Sequence, residues 1–269
     1  MSETVAVLGA GKMGEALLSG LLRSGRPASS LLFTERHEDR ARDLSDRLGV
    51  ESVTAVDAAR RADTLLVAVK PQEIGVLLDE LSSVVTARNL VISIAAGIPT
   101  TTFEKRLADG TPVVRVMSNT PVFVDEAMSA IAAGTHAGED HLARTEELLT
   151  PVGKVIRVPE TQLDAVTALS GSGPAYFFFL VEAMIDAGIL LGLPRAVAAD
   201  LIVQTAVGSA VMLRDSGQHP VQLREAVTSP GGTTIAAIRE LENHGVRAAL
   251  LAALEAARDR SRELADGAG

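Results

Sequence analysis

The residues that could do chemistry in this chain are mostly glycines and hydroxyls at the starts of helices. Gly9-Ala10-Gly11-Lys12-Met13-Gly14 is a G-x-G-x-x-G pattern. It follows the apolar run Val5-Ala6-Val7-Leu8 and opens a stretch with helical spacing, which is the context the pattern needs to act on a dinucleotide. Gly9 permits the tight turn, Gly11 lets the backbone approach a pyrophosphate, and Gly14 lets helix and strand pack closely. The free N–H groups and positive end of the following helix would hold the anion. The competing structural reading is a plain glycine-rich turn between strand and helix.

Three further segments fall at ends of apolar runs. Thr34-Glu35-Arg36 ends the second run. An acid there takes the ribose 2′-hydroxyl of NAD, and an arginine takes the 2′-phosphate of NADP. Both are present; the arginine fork favours NADPH, with NADH as the alternative. The two residues could equally form the solvated start of a helix. Ala68-Val69-Lys70-Pro71 ends the third run, and Ile94-Ala95-Ala96 with Gly97 ends the fourth, where small side chains would let a nicotinamide ring lie on the backbone. In the second half, Thr228-Ser229-Pro230-Gly231-Gly232-Thr233-Thr234 precedes a helical run. Its glycines and hydroxyls offer more donors than one helix cap requires, and suit a carboxylate or phosphate. Ser170-Gly171-Ser172-Gly173-Pro174-Ala175-Tyr176 serves either tight helix packing or a ligand.

The elements that must position these groups change character along the chain. Strand-sized runs (Val5–Leu8, Leu31–Thr34, 64–69, 90–94, Val113–Met117, 154–158) alternate with helix-sized runs (13–22, Glu38–Leu48, 74–85). This predicts an α/β fold with a Rossmann-type parallel sheet over residues 1–160. After Pro159 only helical patterns appear (163–169, 176–191, 196–213, 221–227, 233–241, 246–264), punctuated by Pro174, Pro194, Pro220 and Pro230. Residues 161–269 are therefore expected to form an all-helical domain. Ala175–Leu193 is the longest apolar run, but it carries Glu182, Asp186, Gly188 and Gly192 and reads as a buried core helix rather than a membrane span. Several of these helices are apolar on more than one face, which points to burial against a second subunit. The last residues, 265–269, are expected to fray.

Composition sets limits. Of 269 residues, 47% are hydrophobic and 22% charged, so a disordered chain is excluded. Twenty-five basic against 34 acidic residues give −9, opposite to a nucleic-acid binder and unfavourable at an anionic lipid surface. With no cysteine there is no disulfide, thiol nucleophile or cysteine-held metal, and the five histidines lack metal-binding spacing, so no metal is expected. The start, Met-Ser-Glu-Thr-Val, lacks a leader pattern, and the expected location is the cytoplasm. The four lysines all precede residue 155, leaving the helical half without a lysine base for oxidising a hydroxy acid. An imine demands less, because it can arrive protonated. Two rival readings are another imine reductase or hydroxy-acid dehydrogenase on the same plan, and a dinucleotide sensor without turnover.

The chain resembles the pyrroline-5-carboxylate reductase family in Gly9–Gly14, Val69-Lys70-Pro71-Gln72, Arg115-Val116-Met117-Ser118-Asn119-Thr120-Pro121, Ser170–Tyr176 and the stretch 223–241. The resemblance implies a Rossmann domain and an all-α domain that forms a homodimer, with dimers able to assemble to a decamer. It implies NAD(P)H-dependent reduction of 1-pyrroline-5-carboxylate to L-proline, the last step of proline biosynthesis. Gly9, Ala10, Gly11, Lys12, Met13 and Gly14 would hold the pyrophosphate, and Arg36 the 2′-phosphate. Ala68, Val69, Lys70, Pro71, Ile94, Ala95 and Ala96 would flank the nicotinamide. Glu160, Ser229, Gly232, Thr233 and Thr234 would bind substrate, with Thr234 as the catalytic hydroxyl near the ring nitrogen. Ser118 stands where the family motif carries proline, and Ala55 and Ala226 where members often carry asparagine.

Overall fold

A computed structural model describes residues 3–266, which divide into two compact units: residues 3–172 with 257–266, and residues 173–256. In the first unit the strands are β1 (Val5–Leu8), β2 (Leu31–Thr34), β3 (Glu51–Ser52), β4 (Thr64–Val67), β5 (Leu90–Ser93), β6 (Val113–Met117), β7 (Ala127–Ala133) and β8 (Gly153–Arg157). Its helices are α1 (Lys12–Arg23), α2 (Glu38–Leu48), α3 (Ala55–Arg61), α4 (Ile74–Leu81), α5 (Thr100–Glu104), α6 (Glu139–Leu149) and the short α7 (Leu163–Val166). The strands form one sheet in the order β3-β2-β1-β4-β5-β6-β7-β8.

Alternation along each strand builds a core on each face of this sheet. Val5 and Val7 of β1, Leu31 and Phe33 of β2, Leu66 of β4 and Ile92 of β5 meet Leu17, Leu18 and Leu21 of α1, Leu44 of α2 and Leu148 of α6. Ala6 and Leu8, Leu32, Leu65, Val67 and Val91 meet Ala58 of α3, Leu77 and Leu78 of α4 and Phe103 of α5 on the other. Strands covered on both faces read as continuous apolar runs, which is why they are legible in sequence.

The expectation of a parallel sheet holds for β1 to β6 and requires one correction. β7 pairs antiparallel with β6, and β8 runs parallel to β7. β7 is Ala-Met-Ser-Ala-Ile-Ala-Ala, poor in the β-branched residues that mark a strand, so neither it nor α6 stood out in the sequence. The antiparallel turn-back follows from a connection, 118–126, too short for a crossover helix.

The second unit consists of α8 (Gly173–Leu190), α9 (Arg195–Asp215), α10 (Pro220–Ala226), α11 (Thr233–Asn243) and the first half of α12 (Val246–Asp266). Gly192, at φ +94, turns the chain between α8 and α9, with Leu193 N donating to Gly188 O at 3.0 Å. A Cβ at Gly188 would come within 2.8 Å of the Ala198 Cβ, so glycine sets the closeness of this helix pair. The run Ala175–Leu193 is not a buried core helix within the chain. Gly173 is the buried position of α8, while Phe177, Phe178 and Phe179 are each about two-thirds exposed and Leu190 and Leu191 more so. A helix apolar all round cannot bury every face against one neighbouring helix. Both the stretch 160–190 and α9 are long and apolar enough to cross a membrane by length and composition. α12 extends through Asp266, so Ala265 and Asp266 are helical, and residues 267–269 of the expected frayed end lie outside the described residues, as do Met1 and Ser2.

Candidate functional site

The sheet order places β1 between β2 and β4, so the connections leave β1 and β4 for opposite sides and open a crevice at their carboxyl ends. The predicted dinucleotide residues follow the carboxyl ends of β1 (Gly9–Gly14), β2 (Arg36), β4 (Ala68–Pro71) and β5 (Ile94–Ala96). Gly9 adopts φ +98, and a Cβ there would meet Val69 Cγ1 at 2.8 Å. A Cβ at Gly14 would come 2.2 Å from Gly9 O, whereas one at Gly11 would meet nothing within 4 Å. The first and third glycines are thus required by packing, and the second faces open space where a ligand can approach. α1 has Gly11 as its N-cap, with no side chain capping it, so its first N–H groups are available to an anion. These are the features a dinucleotide pyrophosphate needs.

A residue outside the motif shapes this loop. The Thr34 hydroxyl accepts from Gly9 N at 3.0 Å, and Thr34 O accepts from Ala10 N at 2.9 Å. Ala68 N bonds Leu8 O at 2.8 Å and Ile94 N bonds Val67 O at 3.0 Å, continuing the ladders past the strand ends. Ala68, Val69 and Pro71 are half-buried, Lys70 and Ala96 are exposed, and Ala95 is buried.

After β2 the two adjacent charges behave differently. Arg36 is exposed and donates to Glu73 Oε1 at 2.7 Å. The Glu35 side chain is only 10% exposed, with Oε2 at 3.4 Å from Arg40 Nε. Its Oε1 accepts from His37 N at 3.0 Å. Arg40 also donates to Ala10 O at 3.0 Å and to Glu15 Oε2 at 2.9 Å. Arg40 and Glu73 escaped notice in the sequence; the spacing Lys70-x-x-Glu73 after a strand was the available signal for the second, since Glu73 Oε2 accepts from Lys70 N at 3.3 Å.

Glu160 lies in the same unit. Its Oε1 accepts from Thr100 N at 2.8 Å and lies 3.3 Å from Nη1 of the buried Arg115, while Oε2 accepts from the Thr100 hydroxyl at 2.8 Å. It caps α5 and balances an arginine. Asn119 ties the end of β6 to Ser170, donating to its carbonyl at 3.2 Å, and accepts from Met128 N at 2.9 Å. Ser118, in the place of the family's proline, shares a hydroxyl hydrogen bond with Ser129 at 3.0 Å, which pins the turn to β7 by another means.

In the second unit the segment before α11 forms a compact donor-rich turn. Gly231 is at φ +66, Gly232 N donates to Ser229 O at 3.1 Å, and Gly232 is the N-cap of α11 with no side-chain cap bond. A Cβ at Gly232 would approach Ser229 Oγ to 2.4 Å, so the hydroxyl folds over the helix start. Ser229 and Thr233 are exposed and Thr234 is half-buried. The structure thus gathers Gly9–Gly14, Arg36, Ala68–Pro71, Ile94–Ala96 and Glu160 in one unit, and Ser229, Gly232, Thr233 and Thr234 in the other.

Residues 160–264 match the family model described as pyrroline-5-carboxylate reductase dimerisation, and residues 4–97 match one described as NADP oxidoreductase coenzyme F420-dependent. A pyrroline-5-carboxylate reductase from Corynebacterium melassecola is 44% identical over 265 residues, covering 97% of this chain and 98% of that protein. The solved pyrroline-5-carboxylate reductase from Coxiella burnetii is 36% identical with TM-score 0.93, covering 98% of this chain and 99% of that one. The pyrroline carboxylate reductase of Plasmodium falciparum, solved with NADP bound, is 27% identical with TM-score 0.87, covering 98% of each chain. With the glycine loop, the donor-rich start of α11 and full-length likeness in hand, the chain belongs to the pyrroline-5-carboxylate reductase family.

Proposed function

We propose that this chain reduces 1-pyrroline-5-carboxylate to L-proline with NAD(P)H, the last step of proline biosynthesis. The observation that carries the reading is the uncapped, hydroxyl-lined start of α11, whose donors suit a second anion that a nucleotide sensor would not need. The likeness to reductases over nearly the whole chain supports the same substrate class. The functional domains are proposed as 1–160 for the dinucleotide and 161–269 for substrate and dimerisation, and the dimerisation match beginning at residue 160 supports that division.

Gly9 to Gly14 would hold the pyrophosphate through the N–H groups of α1, and Arg36 the 2′-phosphate, so that NADPH is preferred and NADH is the alternative. Ala68, Val69, Lys70 and Pro71, with Ile94, Ala95 and Ala96, would flank the nicotinamide. The reduced nicotinamide, when bound, supplies the hydride. The Thr233 N–H and the Ser229 hydroxyl would hold the substrate carboxylate at the turn made by Gly232, whose own N–H is bonded to Ser229 O, and the Thr234 hydroxyl would orient the imine nitrogen. A threonine hydroxyl is too weak an acid to protonate that nitrogen at neutral pH, so the proton arrives with the protonated imine or from water. A substrate contact by Glu160 would add to its bonds with Thr100 and Arg115.

The homo-oligomer is assigned as a dimer through the helical domain, with decamers as the larger assembly. A second copy would cover the apolar faces of α8 and α9, so that they serve association rather than a membrane, and the net charge of −9 argues against nucleic acid. The proposed location is the cytoplasm. The deciding experiment follows nicotinamide absorbance with pyrroline-5-carboxylate and each coenzyme, beside a panel of hydroxy acids. Oxidation of NADPH with pyrroline-5-carboxylate alone is expected; turnover of a hydroxy acid instead, or of nothing, defeats the proposal.

A further inference from the structure

Beyond Arg36, we propose that Arg40 is a positioning residue that sets coenzyme preference by holding the Glu35 carboxylate away from the adenosine site, an inference that rests on the coenzyme site proposed above. An acid at the end of β2 selects NADH when its oxygens are free to take ribose hydroxyls, and repels a 2′-phosphate. Here Glu35 occupies that place in the chain but not in function. One oxygen is occupied by His37 N, the other faces Arg40 at 3.4 Å, and the side chain is almost enclosed. Arg36, its neighbour, is the exposed charge of the pair.

Arg40 is placed to hold this arrangement. It lies in the first turn of α2 and reaches back to three acceptors: Glu35, Glu15 on α1, and the Ala10 carbonyl inside the glycine loop, the last at 3.0 Å through Nη2 and 3.2 Å through Nε. Glu15 is shared with Arg47 at 2.7 Å, whose guanidinium is held above its ordinary range by that hydrogen bond. Removing Arg40 therefore leaves Glu15 a partner, whereas Glu35 loses its only cation among the described residues. A carboxylate so released stands beside the guanidinium that meets the 2′-phosphate, where it competes for Arg36 and repels the phosphate.

The test measures dissociation constants of NADPH and NADH, by titration of nicotinamide fluorescence on the full chain without substrate, for the unaltered protein and for Arg36→Ala, Arg40→Gln, Glu35→Gln and the double variant. Loss of the Ala10 contact weakens both coenzymes alike, so the ratio of NADPH affinity to NADH affinity is the readout. Arg40→Gln is expected to lower that ratio by roughly tenfold or more, the scale of one freed charge beside a phosphate. Glu35→Gln alone should leave it within about threefold, because that charge is already neutralised. Glu35→Gln in the Arg40→Gln background should restore it, a coupling that simple loss of positive charge cannot produce. Equal effects of Glu35→Gln in both backgrounds, or a large effect in the unaltered chain, overturn the proposal; the latter outcome overturns it even where Arg40→Gln fails to fold. An unchanged ratio in Arg36→Ala overturns the coenzyme site and the proposal together, while a collapsed ratio there with none in Arg40→Gln overturns the role of Arg40 alone.

Discussion

The two compact units solve the burial problem in opposite ways. The sheet unit encloses its apolar residues on both faces: Phe33, Phe103, Leu65 and Leu66 are fully buried by the chain's own helices. The helical unit leaves Phe177, Phe178, Phe179, Leu190 and Leu191 largely exposed. Each such side chain gains about 1.5–3 kcal/mol when covered, so five of them form a strong demand for a partner surface. The difference teaches that the sheet unit is organised by its own packing, while the helical unit is organised for contact with another copy, in agreement with its match to the dimerisation family.

The sharpest way to break this contrast is a charge in each region's exposed apolar surface. Phe178→Asp should abolish the dimer in light scattering, since an unpaired charge in an apolar contact costs more than about 4 kcal/mol, whereas Val76→Asp on α4 of the sheet unit should leave assembly intact. A dimer surviving Phe178→Asp would show that another face carries the association. Next in size, Leu66→Ala in β4 should cost about 2–5 kcal/mol in denaturant unfolding, because its site is sealed on all sides. A loss below about 1 kcal/mol would mean that the core collapses around the gap. Thr234→Ala should lower kcat by roughly ten- to thousand-fold with coenzyme affinity unchanged, as expected for a positioned donor in the helical unit; an unaltered kcat removes Thr234 from the reaction.

Smaller effects refine the sheet unit. Glu73→Gln, which frees Arg36 from its present ion pair while keeping an acceptor for Lys70 N, should tighten NADPH about threefold and leave NADH unchanged in fluorescence titration. The smallest concerns Glu146 on α6, whose carboxyl is held below its ordinary range by hydrogen bonds from Arg157 on β8. A depressed native pKa means the contribution is present above the unfolded value and is lost as pH falls through the native one. The melting temperature of Arg157→Ala should therefore converge on that of the unaltered chain on acidification, and a gap that is independent of pH would deny the pair any role.

Much of the sheet unit was legible from residue types. Continuous apolar runs marked β1, β2, β4, β5 and β6, and glycine positions marked the turns after α1 and α2, where Gly25 and Gly49 have positive φ. β7 was not legible, because alanines and a serine in a strand carry no local preference and are held there by neighbours on either side. At the site, the glycine loop and the start of α11 stood out by composition. The contacts of Glu160 with Thr100, of Arg40 with Ala10, and of Thr34 with Gly9 did not, since each joins segments that only the sheet brings together.

The amino-acid order by itself determined the alternation of strands and helices, the change to an all-helical second half, and which helix starts could bind anions. These follow from periodicity, glycine and proline, which act over a few residues. The tertiary structure alone decided the reversal of β7, the exposure of α8, and whether Glu35 or Arg36 presents its charge. Those outcomes depend on which distant groups come within hydrogen-bonding or packing distance, and local sequence does not encode distance.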